Sequence, residues 1–127
     1  MRALVVDDAL TFRFYARGIL EAAGFAVEEA MNGVEALERA LRADAPDLIL
    51  VDVNMPRMDG YRFLRAMRAE PSLCDVPAIM ISTEQEPPDL DRAFAAGANL
   101  YLVKPVRPEE LARFARALSG LGQVVAP

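Results

Sequence analysis

Apolar residues run along this chain in two alternating rhythms. Short, nearly continuous apolar runs occupy residues 3–6, 48–51, 76–81 and 100–103, separated by longer stretches in which apolar positions return every three or four residues. Unbroken runs bounded by polar residues suit strands covered on both faces, and the longer period suits helices laid against a sheet. A fifth run, residues 25–29, mixes Phe25 and Val27 with Glu28 and is expected to form an edge strand.

The helical stretches carry their own punctuation. Phe12, Ala16, Ile19 and Ala23 recur at helical spacing and stop at Gly24, while Val34, Leu37 and Leu41 follow Asn32-Gly33. Both stripes are expected to face the core. A third helix is predicted after Asp59-Gly60, with Tyr61, Leu64 and Met67 on its apolar face. A fourth is predicted after Pro87-Pro88 and ends at Gly97; at about two turns it should be the shortest and least stable. A fifth runs from about residue 108 to 118. Strand and helix thus alternate five times, which predicts an α/β fold: a doubly wound, open parallel sheet of five strands.

Composition narrows the possibilities. With 127 residues, 54% of them hydrophobic, the chain suits one domain with one sheet-centred core. That domain is expected over residues 1–118, with 119–127 a tail or the start of a linker. Fourteen basic against nineteen acidic residues give a net charge of −5, which opposes direct binding to nucleic acid or an anionic membrane. Histidine is absent and Cys74 is the single cysteine, so Ser-His-Asp and Cys-His nucleophile systems, Cys/His zinc sites and disulfides are all excluded. The uncharged stretch 93–103 is far shorter than the ~20 residues of a membrane span, and the first apolar run stops at Asp7, too early for a secretory leader. A cytoplasmic protein with a reduced Cys74 is expected.

The remaining chemistry is carboxylate chemistry, and its place is predictable. In an open parallel sheet, ligands bind at the carboxyl ends of the strands, beside the point where the winding reverses. Here the first strand ends in Asp7-Asp8, the third in Asp52, the fourth in Ser82-Thr83 and the fifth in Lys104-Pro105. Taken singly, each is ordinary loop or cap chemistry. Together they place three carboxylates on one edge, where each close pair repels by roughly 3 to 4 kcal/mol at an effective dielectric of 20. A cation is expected among them, and an all-oxygen donor set favours Mg²⁺. Lys104 is also the only lysine, against thirteen arginines. Its compact ammonium can approach a single phosphoryl or carboxylate oxygen, which a planar guanidinium does less readily.

These residues resemble the receiver domain of response regulators, and within that family the chemotaxis type. The resemblance rests on Val6-Asp7-Asp8, the run Asp52-Val-Asn54-Met55-Pro56-Arg-Met-Asp59-Gly60, and Lys104-Pro105, and covers residues 1 to about 118. It implies a flavodoxin-like (βα)5 fold with strand order 2-1-3-4-5. It implies that Asp52 is the phosphoacceptor for a phosphohistidine on a histidine kinase, with Asp8 binding Mg²⁺ directly and Asp7 mainly through water. Asp52 and the backbone carbonyl of Asn54 would be further metal ligands, while Lys104 and the Ser82 hydroxyl would hold phosphoryl oxygens.

The same resemblance makes Tyr101 the switch aromatic that follows Ser82, and makes Asn54, Thr83 and Glu84 the residues that tune access of hydrolytic water. Ser82 stands where threonine is commoner, which keeps the hydroxyl but loses the methyl that helps couple it to Tyr101, and Thr83 stands where alanine is usual, which bears on access to Asp52 and so on signal lifetime. The partners implied are the kinase and an output protein, such as a flagellar motor switch component, bound by the face of the fourth helix, fifth strand and fifth helix. A monomer is expected. Two alternatives stand beside this one: a receiver excised from a longer regulator, and a Mg²⁺-dependent phosphohydrolase working through a phosphoaspartate. The second fits less well, because haloacid-dehalogenase-type enzymes resemble Asp-x-Asp after the first strand and carry a cap domain.

Overall fold

Ten elements alternate in the computed structural model, which describes residues 1–42, 44–84 and 86–120. They are β1 (Arg2–Val6), α1 (Leu10–Ala22), β2 (Ala26–Ala30), α2 (Gly33–Ala40), β3 (Leu48–Asp52), α3 (Gly60–Arg68), β4 (Ala78–Ser82), α4 (Pro87–Ala96), β5 (Leu100–Val103) and α5 (Pro108–Ser119). The strands form one parallel sheet in the order β2-β1-β3-β4-β5. The flavodoxin-like architecture is therefore present, with β2 at an edge as its mixed pattern implied. Residues 121–127, most of the expected tail, lie outside the described residues.

Two apolar layers flank the sheet. On one face Ala36, Ala40, Phe63, Leu64, Met67, Ala93 and Ala96 bring α2, α3 and α4 onto Leu4, Ile49 and Met80. On the other, Ala16, Leu20, Leu111 and Ala115 bring α1 and α5 onto Val5, Leu50 and Ile79. Alternate residues of one strand thus serve opposite layers, which is why β1, β3 and β4 read as continuous apolar runs.

Three expectations change. The fourth helix is not the shortest: α4 has ten residues, α3 nine and α2 eight. Pro87 and Pro88 lie inside it, because a proline's missing N–H costs nothing in a first turn whose N–H groups have no intrahelical acceptor. Glu86 and Asp89 close a reciprocal capping box there, and Gly97, at φ 113°, ends the helix in the left-handed region. In α2 the buried face is carried by Gly33, Ala36 and Ala40; Val34 and Leu37 are half-buried, and Leu41 is exposed beyond the last turn. Finally β4 begins at Ala78 rather than residue 76, since Pro77 has no N–H to donate to a ladder.

Candidate functional site

The order 2-1-3 reverses the winding between β1 and β3, and their register pairs Val6 with Val51. The next residues along each strand are Asp7 and Asp52, so the topology places these carboxylates side by side. Asp8 follows at the exposed rim. One carboxylate oxygen from each of Asp7, Asp8 and Asp52 lies within 4.8 Å of the others. Asp7 is 1% exposed and Asp52 is 7% exposed.

Each position is held locally. Asp7 Oδ1 accepts the Ala9 N–H at 2.8 Å, turning the chain into α1. Behind Asp52, the Gly60 N–H donates to the Val53 carbonyl at 2.9 Å. A Cβ on Gly60 would lie 2.4 Å from the Asp52 carbonyl oxygen, so only glycine lets α3 start this close to β3. Within the intervening loop Arg57 takes φ 69°, a conformation uncommon outside glycine. Asn54 sits exposed in that loop.

Lys104 reaches the cluster from the end of β5 across a cis Lys104-Pro105 bond. Its Nζ donates to Asp7 Oδ2 at 3.0 Å and lies 3.4 Å from Asp52 Oδ1. On its other side Nζ stands 4.4 Å from the centroid of the Phe12 ring. Sequence reasoning placed Phe12 in a core stripe; the ring is only partly buried, and it backs the ammonium. A helical apolar stripe carries no signal for that second role.

The electrostatics follow from burial. Desolvation, reinforced by the charge of Asp7, pushes Asp52 up to about 6, against the opposing pull of Lys104. Burial also works against charge on Lys104, but its hydrogen bond to Asp7 and the charges of Asp52 and Asp7 outweigh it and hold the ammonium above the ordinary lysine range. Among the described residues, Asp8 forms no ion pair. One ammonium therefore leaves the three acids incompletely neutralised, and the remaining demand is for a hard cation bound through oxygen. The residues present fit Mg²⁺.

Ser82 is fully buried at the end of β4. Its Oγ accepts the Glu84 N–H at 3.1 Å, and the Glu84 carbonyl accepts the Tyr101 hydroxyl at 2.5 Å. Ser82 and Tyr101 are thus linked in series through the backbone of Glu84. Thr83 is exposed and lines an open recess with Phe12, Tyr15, Lys104, Pro105 and Val106. The structure thus gathers Asp7, Asp8, Asp52 and Lys104 into one cluster, with Ser82, Glu84 and Tyr101 linked beside it.

Comparison with known proteins adds to this geometry. The sequence profile of the family described as "Response regulator receiver domain" matches residues 3–116. A "Chemotaxis protein CheY homolog" of Campylobacter jejuni is 36% identical over 123 residues, 96% of this chain and 95% of that one. The "Gliding motility regulatory protein" of Myxococcus xanthus is 38% identical over 104 residues, 82% of this chain; the chain spans only 13% of that protein's length. Among solved structures, the receiver domain of sensor histidine kinase PA1611 from Pseudomonas aeruginosa superposes with a TM-score of 0.86. It is 30% identical, the match covers 94% of this chain and 97% of that one, and it is described with a magnesium ion coordinated in the active-site cleft.

Proposed function

The chain belongs to the response regulator receiver domain family, and on that premise we propose that Asp52 accepts a phosphoryl group from a phosphohistidine of a histidine kinase. The observation that carries this is the meeting of Asp7, Asp8, Asp52 and Lys104 at the reversal of the sheet, with the Lys104 ammonium 3.4 Å from Asp52. Receivers are generally non-enzymatic signal transducers of two-component systems, and that is the class of this chain.

In the transfer, an Asp52 oxygen attacks phosphorus in line, the P–N bond to the imidazole breaks and a P–O bond to the carboxylate forms. When bound, Mg²⁺ would neutralise phosphoryl charge, with Asp8, Asp52 and the backbone carbonyl of Asn54 as the residues that would hold it and Asp7 acting mainly through water. Lys104 transfers its pairing from the carboxylates to a phosphoryl oxygen. The Ser82 hydroxyl turns toward another, giving up the Glu84 N–H. Because the Glu84 carbonyl also holds the Tyr101 hydroxyl, that movement loosens Tyr101 and alters the surface of α4, β5 and α5. Asn54, Thr83 and Glu84 border the approach of hydrolytic water and set the phosphoryl lifetime.

The near full-length likeness to a chemotaxis protein supports a single-domain regulator in the cytoplasm, acting on an output protein such as a flagellar motor switch component. Among the described residues no helix is long and apolar enough to cross a membrane. The likeness to a short part of a much longer motility regulator supports a second reading, a receiver belonging to a longer chain. The test is incubation with Mg²⁺ and acetyl phosphate, followed by intact-mass measurement. One acid-labile phosphoryl group is expected on the wild type and none on Asp52→Asn. Equal labelling of the variant would overturn the assignment, and multiple turnover on small phosphate esters would favour a phosphohydrolase.

A further inference from the structure

Tyr61 follows Gly60 at the start of α3, and its phenol is buried at a cost. The side chain is 3% exposed within the apolar layer that includes Ala93 and Ala96 of α4. Its hydroxyl is the one buried side-chain polar atom without a hydrogen-bond partner among the described residues. Such a donor has given up water and gained nothing in return, whereas phenylalanine would fill the same space without that cost. Burial and Tyr101 push its ionisation up against the pull of Arg92, with Asp89 and Glu84 adding to the rise, so it stays a neutral O–H. These four neighbours belong to the loop after β4, to α4 and to β5, the elements that carry the signal in the reading above. Arg92 reaches from α4 to place its guanidinium carbon 4.2 Å from the centre of the Tyr61 ring. Since α4 is otherwise buried only through two alanines, that contact is a substantial part of its hold on α3.

We propose that Tyr61 and Arg92 set the balance between two positions of α4, and that they act with opposite signs. The cation–π contact holds α4 down on α3. The buried hydroxyl favours the position in which α4 is lifted, because there it reaches water and finds an acceptor. Both are positioning residues that act on the phosphoryl site through α4; neither touches the reacting atoms. The proposal rests on the reading that phosphorylation of Asp52 displaces α4. Whatever stabilises the resting position weakens the binding of any ligand that prefers the lifted one, so these two side chains tune how readily the phosphoryl state is reached.

Thermal unfolding, amide exchange in α4 without ligand, and calorimetric titration with beryllofluoride, a mimic of the phosphoryl group, in Mg²⁺ test this on the full chain. Tyr61→Phe deletes only the hydroxyl. It should melt higher than the wild type, slow exchange in α4 and bind beryllofluoride about tenfold more weakly. Arg92→Gln keeps a polar side chain and loses the charge. It should quicken exchange in α4 and bind beryllofluoride about threefold more tightly. Two side chains with merely structural roles would both lower the melting temperature and shift the affinity in the same direction or not at all, and that result overturns the proposal. So does a Tyr61→Phe variant that melts lower than the wild type, since the hydroxyl is then satisfied at rest. Asp52→Asn separates this proposal from the reading beneath it. If that variant binds beryllofluoride as tightly as the wild type, the assignment of Asp52 fails, while melting and exchange at rest still decide the roles of Tyr61 and Arg92.

Discussion

Lys104 shows how much one side chain can be asked to do. Its Nζ sits between Asp7 Oδ2, Asp52 Oδ1 and the face of Phe12, so its position is fixed from three sides. Arginine keeps the charge but is longer and planar, and cannot occupy that point without moving the loop. Lys104→Arg is expected to accept a phosphoryl group yet fail to pass the signal to Tyr101, measured as partner affinity on fully phosphorylated protein. Wild-type affinity would show that charge alone suffices. Phe12→Leu removes the cation–π contact, a loss of about 1 kcal/mol, and should weaken the same coupling more mildly while leaving acceptance intact. At the opposite wall, Gly60→Ala puts a methyl group onto the Asp52 carbonyl oxygen. It should cost about 1–3 kcal/mol in denaturant unfolding and slow phosphorylation.

Among the elements, α3 and α4 make the clearest contrast. The first buries Tyr61, Phe63, Leu64 and Met67, whereas the second is buried only through Ala93 and Ala96. Length therefore does not rank the helices by stability; the apolar area each one buries does. Amide exchange in α4 should be faster than in α3, and a beryllofluoride mimic of the phosphorylated state should alter α4 and β5 more than α1 to α3. An unchanged α4 would remove the case for an output surface there. Arg68 ties these helices to the sheet's lower edge. Its guanidinium donates to the carbonyls of Gly97, Leu73, Cys74 and Val76 and to Asn99 Oδ1. Lysine cannot spread over so many acceptors, so Arg68→Lys should lower unfolding stability by about 2 kcal/mol.

For the molecule as a whole, the acidic cluster sets how stability responds to pH and metal. Asp52 titrates at about 6 in the folded protein, above the ordinary aspartate value, so the folded state holds the proton more tightly than the unfolded chain. Its contribution is fully present below the unfolded value near 4 and is lost as pH rises through about 6. In chelator at neutral pH, Asp52→Asn should therefore be more stable than the wild type, by on the order of 2 kcal/mol, and the advantage should vanish in acid. Mg²⁺ at ten times its dissociation constant should add about 1.4 kcal/mol to the wild type, a melting shift of roughly 4 to 6 °C, and less to the variant. Equal increments would show that the three acids share no metal. The sequence by itself determined the alternation of elements, the parallel sheet and the residues at its carboxyl edge, because strand burial and strand ends leave local signals in the order of residues. It did not determine that α4 begins with its prolines, that α2 packs through alanines, or that Phe12 backs Lys104. Nor did it show that Ser82 and Tyr101 both hydrogen-bond to the backbone of Glu84. Those were decided by tertiary structure, because each depends on which surfaces meet across the sheet, and residues far apart in the chain acquire that relation only when the fold closes.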